Sequence, residues 1–233
     1  MRTRWLCLEF TQTVGWQARD RADDALVDYG ALVAWSERVG ALRAEESASL
    51  RVLAAGHPAV AARVLGQALE LRRASYRVFV AVGTREVAPA AEVEAMNRVV
   101  PEALAHRRLA PGQGLEFRWV WAPVAGPASL ARPLWLVAES AAELLTAPEL
   151  ARLRVCEADD CGWLFVDASR NRSRRWCDMS DCGNLAKVRR FRARRRAGGA
   201  GGAGVAEREA GADGGAGRLA PDVGAVGEPG EAG

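Results

Sequence analysis

The chain has 233 residues and a formal net charge of +3, and 49% of its residues are hydrophobic. This length can hold one core of about 150 residues and a smaller module. No apolar run is long enough to span a bilayer. Glu9 also interrupts the apolar segment Trp5–Leu8, and no small-residue cleavage site follows, so a secretory signal is not expected. We therefore expect a cytoplasmic protein.

The first 150 residues are predicted to be mainly helical, with some strand. The segment Leu6–Val14 is a candidate strand. Pro58 occupies a favoured first-turn position and opens a long helix. The apolar positions that indicate these helices recur at helical spacing. They are Leu26, Tyr29, Val33 and Val39 in a first helix, and Val60, Val64, Leu71, Val78 and Val82 in the long one.

Three further elements are predicted before the cysteines. A helix marked by Val93, Met96, Val100 and Leu104 should kink or break at Pro101. Residues 115–121 alternate between apolar and other side chains, which is typical of a half-buried strand. A last helix carries Leu134, Val137, Ala141 and Leu144. The N-terminal domain is therefore predicted to be α+β and predominantly helical, with a few strands.

This domain shows no recognisable catalytic set. Its two histidines lie at an apparent helix start and end, and neither a G-x-S-x-G motif nor a phosphate-binding glycine loop is present. We therefore predict that the protein is not an enzyme. A ligand pocket could be lined by Glu9, Gln12, Thr13, Trp119 and Trp121. The alternative is turn and capping chemistry for the polar residues and core packing for the tryptophans.

Four cysteines follow in the pattern C-x4-C-x15-C-x4-C, and they are Cys156, Cys161, Cys177 and Cys182. Two close pairs can supply the four soft ligands that tetrahedral zinc needs. A glycine follows the second cysteine of each pair and lets the backbone turn tightly around a metal. The pattern predicts one structural Zn²⁺. Two disulfides or buried thiols are the alternatives, but disulfides are rare in a reducing cytosol.

The order of elements around these cysteines can also be predicted. Cys156 and Cys161 would form a knuckle, Trp163–Asp167 a strand, and Arg174–Cys177 a returning strand. Ser180 or Asp181 would cap a helix that runs to about Arg196. Knuckle, hairpin and a helix that bears the last ligand are typical of a treble-clef-like zinc module.

Positive charge is concentrated on this module. Residues 170–196 carry a net charge of +9, whereas the remaining residues before them carry −2 and those after them −4. Such a field favours a polyanion, with nucleic acid as the first candidate. A solvated basic face and an acidic protein partner are the alternatives. The residues predicted to contact nucleic acid are Arg170, Arg172, Arg174, Arg175, Lys187, Arg189, Arg190, Arg192, Arg194 and Arg196.

The predicted basic helix also has an apolar seam. Leu185, Val188 and Phe191 fall on one side and are expected to pack against the rest of the protein. The tail from Ala197 to Gly233 is mostly Gly and Ala with scattered charges. Such a composition cannot bury enough apolar surface to offset the entropy of ordering, so a disordered tail is predicted.

The cysteine module resembles the CGNR zinc finger. The residues that carry the resemblance are the run Cys161-Gly-Trp-Leu-Phe-Val-Asp-Ala-Ser-Arg-Asn-Arg-Ser-Arg-Arg-Trp-Cys177, then Cys182-Gly183-Asn184 and Ala186–Arg190. Upstream, Leu6–Phe10, Pro133–Trp135 and Ala141–Leu145 resemble the ABATE domain. The resemblance covers roughly residues 5–196. It implies a bacterial stress-induced transcription regulator in which the four cysteines bind zinc, the finger binds DNA and the first domain senses or regulates.

One position departs from the family pattern. The family name records an arginine after Asn184, and this chain has Leu185 there. The sequence therefore predicts an ABATE-like regulatory domain over residues 1–150, a CGNR-type finger over 151–196 and a disordered tail over 197–233. A small-molecule or protein effector could bind the first domain, and its effect would reach the finger through the helix Leu134–Leu145, which leads into Cys156. A zinc-stabilised protein-interaction module and an RNA-binding module are the alternative functions.

Overall fold

The computed structural model describes residues 5–15, 24–159 and 161–199. The chain divides into two compact units, one ending at Arg190 and the other beginning at Phe191. The tail predicted to be disordered lies outside the described residues from position 200 onward, and residues 197–199 end the last helix. In the described part of the chain, no helix is long and apolar enough to cross a membrane.

The described residues contain eight α-helices and four short β-strands, connected by turns and two 3-10 segments. The helices are α1 Leu6–Thr11, α2 Tyr29–Arg38, α3 Ala44–Gly56, α4 Pro58–Thr84, α5 Ala90–Asn97, α6 Val100–Ala105, α7 Arg132–Thr146 and α8 Cys182–Gly199. The strands are β1 Arg107–Pro111, β2 Phe117–Trp121, β3 Leu153–Val155 and β4 Leu164–Val166. They form two separate antiparallel hairpins, β1–β2 and β3–β4. The predicted α+β, predominantly helical fold is confirmed.

The core of the first unit is built around α1, α4 and α7. Pro58 begins α4 as predicted, and the buried face of this helix includes Leu71 and Phe79. Helix α7 contributes the buried Trp135 and Leu144 to the same core. Cys7 of α1 is fully buried and its backbone N–H donates to Ser140 Oγ at 3.1 Å. Burial raises the pKa of the Cys7 thiol to about 12, which makes it a neutral core group.

The prediction of a strand at Leu6–Val14 was wrong, because Leu6–Thr11 is helix α1. Cys7, Leu8, Phe10 and Thr11 are buried, which is the spacing of one helical face. A short apolar run does not by itself distinguish a strand from a buried helix segment. Contacts with α4 and α7 decide the conformation here.

The helix predicted to break at Pro101 does break, but just before that residue. Helix α5 ends at Asn97 and α6 begins at Val100, so Pro101 lies in the first turn of α6. A proline is tolerated there because the N–H it lacks would have no partner within the helix.

Strand β2 forms where alternation predicted it, but it is not half-buried. Phe117 is 72% exposed and Trp119 59% exposed. The strand pairs with β1 in the register Leu109↔Trp119, and this hairpin forms a two-stranded sheet of its own. The interpretation of Trp119 as a core residue was therefore wrong. The strand has the expected period, but among the described residues no other layer covers the face of the hairpin that carries Trp119.

A buried ion pair connects α4 to the segment before α2. The guanidinium of Arg72 donates to Asp24 Oδ1 at 2.8 Å and to Asp24 Oδ2 at 2.5 Å. It also donates to Thr13 Oγ1 at 2.8 Å. Arg72 is buried, and Asp24 additionally accepts a hydrogen bond from the Leu26 N–H at 2.9 Å. The Thr13 hydroxyl therefore accepts one of the hydrogen bonds that the buried Arg72 guanidinium needs.

Candidate metal centre and nucleic-acid interface

The first cysteine pair is held at the turn of the β3–β4 hairpin. Cys156 directly follows β3, and its N–H donates to the carbonyl of Trp163 at 2.7 Å. Cys161 precedes Gly162, whose φ of +67° lies in the left-handed region that favours glycine. The predicted knuckle and the predicted strand within Trp163–Asp167 are confirmed. The partner of that strand is β3, which lies before the first cysteine.

This hairpin packs against the helices of the first domain. Leu153 and Leu164 are fully buried and belong to the main hydrophobic core. The hydroxyl of Tyr76 donates to the carbonyl of Gly162 at 3.1 Å. Gln12 Nε2 donates to the carbonyl of Leu164 at 3.0 Å. Helices α4 and α1 therefore fix the position of the first cysteine pair.

The second pair is placed by a tight turn that leads into α8. Asp178 Oδ1 accepts from the N–H groups of Ser180 at 2.7 Å and Asp181 at 3.2 Å. Cys182 is the first residue of α8, and the carbonyl of Asp181 accepts from the Leu185 N–H at 3.0 Å. Asp181 thus occupies the position before the helix, as predicted, while the side chain of Asp178 organises the turn.

All four cysteine sulfurs lie within 4.8 Å of one another. The Sγ atoms of Cys161 and Cys177 are 3.5 Å apart, and those of Cys177 and Cys182 are 3.6 Å apart. A tetrahedral zinc ion with Zn–S bonds of about 2.3 Å separates its sulfurs by roughly 3.8 Å. All four are free cysteines, since a disulfide would need about 2.05 Å. The donor set fits one structural zinc, with no coordination position left for water.

The electrostatics of the cluster favour thiolate formation at Cys161. The hydrogen bond with Cys177 lowers the pKa of Cys161 to about 6, against the opposing effect of burial. Zinc binds the thiolate rather than the thiol. The same hydrogen bond raises the pKa of Cys177, and burial raises that of Cys182, so thiolate formation is favoured at Cys161 first rather than at all four sulfurs together.

The predicted returning strand at Arg174–Cys177 was wrong, because this segment is an irregular loop. The buried carboxylate of Asp167 closes the loop by accepting from the N–H groups of Ser169 at 2.8 Å and Arg174 at 3.0 Å. Burial tends to raise the pKa of Asp167, but these hydrogen bonds hold it below its ordinary value. Sequence analysis missed this role; the only signal was an acidic residue at the end of a strand before a polar turn.

Three of the arginines predicted to contact nucleic acid make contacts within the finger. Arg174 packs over the ring of Phe165 at 4.8 Å and donates to the carbonyls of Trp176, at 2.8 Å, and Cys177. Arg175 Nε donates to Glu157 at 2.6 Å. Arg189 forms a more exposed ion pair with Asp159 at 3.2 Å. Arg174 therefore braces the loop that carries the third cysteine.

The other basic residues predicted to contact nucleic acid are exposed wherever the structure describes their side chains. Arg170, Arg172, Lys187 and Arg190 are exposed in the first unit. Arg192 and Arg194 are exposed in the second unit. The side chain of Arg196 lies outside the described residues. With Arg175 and Arg189, which are exposed although each pairs with a carboxylate, six predicted cations of the first unit are open to solvent.

Family comparisons agree with both parts of this arrangement. Residues 5–148 match the ABATE family, whose description is "Putative stress-induced transcription regulator". The chain belongs to the ABATE family. Residues 152–195 match the CGNR zinc finger, which includes all four clustered cysteines. No curated protein matches the chain.

The CGNR finger of this chain does not bury the apolar seam predicted on its helix. Leu185 is 46% exposed, Val188 38% and Phe191 61%. The expectation that the seam packs against the domain was wrong for Leu185 and Val188, the two seam residues of the first unit. Leu185, which replaces the arginine of the family name, is therefore not compensated by burial in a core. Helix α8 follows the zinc site, and most of its described side chains are exposed.

The ABATE domain separates the residues predicted to form one ligand pocket. Gln12 contacts the zinc hairpin, and Thr13 accepts from Arg72. Trp119 is exposed on β2. Trp121 lines a cavity of about 500 Å³ whose lining does not include Glu9, Gln12 or Thr13. The ligand-binding role of these residues stays a prediction, and the cavity beside Trp121 is the better-formed concave site.

Proposed function

We propose that this ABATE-family protein binds DNA through its CGNR finger and that its ABATE domain regulates the binding. The observation that carries the proposal is the group of exposed basic side chains around the four-cysteine cluster. In the first unit these are Arg170, Arg172, Lys187 and Arg190, together with Arg175 and Arg189, which are exposed but each pair with a carboxylate. The sequence around them, residues 170–196, has a net charge of +9.

Electrostatics explain why such a surface suits a phosphate backbone. Each phosphate that a Lys or Arg neutralises releases condensed counterions, and this release supplies much of the affinity. Lys187 and Arg190 lie three positions apart on α8, so they are neighbours on the helix surface. Arg170 and Arg172 lie on the loop that Asp167 closes. A fixed loop and a helix that starts at a zinc ligand would hold these charges in place before DNA arrives.

Zinc would make this surface possible by stabilising the finger. The small cluster around Cys156, Phe165 and Cys182 is the only core of the finger apart from the hairpin, among the described residues. A module of about 40 residues has too little core to fold without such support. When bound, zinc supplies a structural cross-link among the four thiolates.

The DNA-binding proposal can be tested by salt dependence. The double variant Lys187→Ala/Arg190→Ala should lower the slope of log affinity against log salt by about 1.8, at about 0.9 for each lost phosphate contact. The matched control is Arg63→Ala/Arg118→Ala, which removes two exposed charges from α4 and β2. Unchanged affinity and slope in the first variant would overturn the proposal. Tighter binding to RNA or to an acidic protein would favour those alternative partners.

Regulation is proposed because the ABATE domain directly contacts the zinc hairpin. Tyr76 and Gln12 hydrogen-bond to backbone carbonyls next to and within β4. A change in α1 or α4 could therefore shift the first cysteine pair and the loop attached to it. A tenfold effect on DNA affinity requires about 1.4 kcal/mol of coupling.

The regulatory proposal is tested by weakening these contacts in the full chain. Tyr76→Phe/Gln12→Ala removes both hydrogen bonds and should change DNA affinity while zinc content stays at one per chain. Gln67→Ala is the control for loss of a glutamine, because Gln67 is an exposed residue of α4. Equal DNA affinity in the wild type and both variants would leave the ABATE domain as a support for the finger.

A further inference from the structure

The ABATE domain contains a cavity that lies outside the proposed DNA-binding surface. It lies where the first turn of α3, the end of β2 and the start of α7 meet, and its volume is about 500 Å³. Small-molecule sites in proteins commonly have volumes of about 300–1,000 Å³. The cavity is therefore large enough for a metabolite-sized ligand.

Charged side chains of both signs line this cavity. Arg43 and Glu46 pair with each other at 3.3 Å across the first turn of α3. Arg132 and Glu45 also line the cavity, and within the described part of the chain neither forms an ion pair. Among the residues that the structure describes, the cavity thus offers a cation and an anion that form no ion pair.

Arg132 is positioned by an aromatic ring rather than by a carboxylate. Its guanidinium lies 4.3 Å from the centre of the Trp121 ring. The residue is half-buried, and burial lowers the pKa of Arg132, although Glu46 and Glu139 act in the opposite direction. A partly desolvated guanidinium is a good partner for a carboxylate, which it can bind through two hydrogen bonds.

The wall beside Arg132 is aromatic. Trp121 and Trp135 both line the cavity, with ring planes only 10° apart and centres 6.4 Å apart. The Nε1 donor of Trp135 is buried and has no hydrogen-bond acceptor among the described residues. Leu50 and Val124 add apolar surface. This part of the cavity suits a flat apolar group.

We propose that this cavity binds a small zwitterion that carries a flat apolar group, which is the chemistry of a free aromatic α-amino acid. The ligand carboxylate would pair with Arg132 and its ammonium with Glu45, while its ring would contact the tryptophan wall. A simple anion would use Arg132 alone, and a simple cation would use Glu45 alone. Neither single charge satisfies both side chains.

Three probes of similar size test this assignment on the full-length protein by calorimetry without DNA. L-Phenylalanine carries both charges, 3-phenylpropionate lacks the ammonium, and phenethylamine lacks the carboxylate. Phenylalanine should bind at least tenfold more tightly than either analogue. Because no DNA is present, failure of this experiment does not bear on the DNA-binding proposal.

Two variants locate the binding. Arg132→Gln should reduce phenylalanine affinity at least tenfold and leave phenethylamine affinity unchanged, whereas Glu45→Gln should reduce phenylalanine affinity and spare 3-phenylpropionate. Arg118→Gln is the control, because Arg118 is an exposed arginine of β2 outside the cavity. Circular dichroism checks that each variant folds. If Arg132→Gln does not fold, Glu45→Gln still tests the assignment, because Glu45 is exposed and its replacement does not disturb the core. Equal affinity for all three probes, no binding, or phenylalanine binding that both variants leave unchanged would overturn the proposal.

Discussion

The ion pair between Arg72 and Asp24 should be one of the strongest single determinants of ABATE-domain stability. Replacing Asp24 by alanine leaves the Arg72 guanidinium in the core without its carboxylate, because the side chain of Arg72 is only 7% exposed. Breaking a buried pair by removing one partner costs about 3–5 kcal/mol. Asp24 itself is 30% exposed, so water can reach the site, and the lower end of this range, about 3 kcal/mol, is expected.

The same pair gives the stability a defined pH dependence. The hydrogen bond from Arg72 is the main reason that the pKa of Asp24 lies below its ordinary value when the protein is folded. The stabilisation is therefore present above the unfolded pKa of about 3.9 and is lost as the pH falls through the folded pKa. Asp24→Ala should remove this part of the acid-induced loss of stability.

Thermal unfolding monitored by circular dichroism measures the effect. For a chain of this length, about 3 kcal/mol corresponds to a decrease in Tm of roughly 6–12 °C. The control is Arg98→Ala, which breaks the exposed ion pair with Glu70 and should cost less than about 1 kcal/mol. The double variant Asp24→Leu/Arg72→Met should recover much of the loss, since it removes both charges. If Asp24→Ala unfolds at the same temperature as Arg98→Ala, the pair does not stabilise the core as reasoned.

Three further predictions concern the finger. Metal analysis of protein purified under reducing conditions should find one zinc per chain, and zinc-free wild-type protein would contradict this. Cys177→Ser should lower the zinc content and expose the amides of α8 to hydrogen exchange, while those of α4 stay protected. Asp167→Ala should speed zinc release to a chelator, because two backbone N–H groups lose a charged acceptor worth about 1.5–3 kcal/mol each; release at the wild-type rate would show that the loop is held otherwise. Arg174→Lys should also speed release, since lysine cannot reproduce the two carbonyl contacts, whereas the exposed Arg170→Lys should not.

The sequence predicted the helices and the metal ligands more reliably than the surfaces. Pro58 and its apolar stripe predicted α4 because a long periodic pattern has few alternative structures. The spacing of the four cysteines in two close pairs predicted that their sulfurs would cluster, because a tetrahedral zinc site needs four ligands at such spacing. Alternation predicted β2, but the exposure of Trp119 depends on whether another layer covers the strand, which no local pattern encodes.

Tertiary contacts account for the remaining differences. The short run at Leu6–Phe10 becomes a helix because α4 and α7 surround it. Arg174 was predicted to face DNA from its charge, yet its guanidinium hydrogen-bonds to carbonyls of the zinc loop. A basic residue next to a cysteine can serve either purpose, and only the folded loop distinguishes them. The cavity beside Arg132 was not predicted because residues from three distant elements line it.

The burial of the β3–β4 hairpin has a consequence for how this protein can be recombined. Leu153 and Leu164 lie in the same core as the ABATE helices, and Gly83 of α4 lies so close to β3 that an added Cβ would be 3.1 Å from a methyl carbon of Val155. A chimera that exchanges fingers between family members at residue 150 would therefore join two halves of one hydrophobic core. The exchanged hairpin would have to match the recipient's α4 surface, including space for the side chain that faces Gly83. Grafts that keep β3 and β4 from the recipient and exchange only the residues after Asp167 should fold more often.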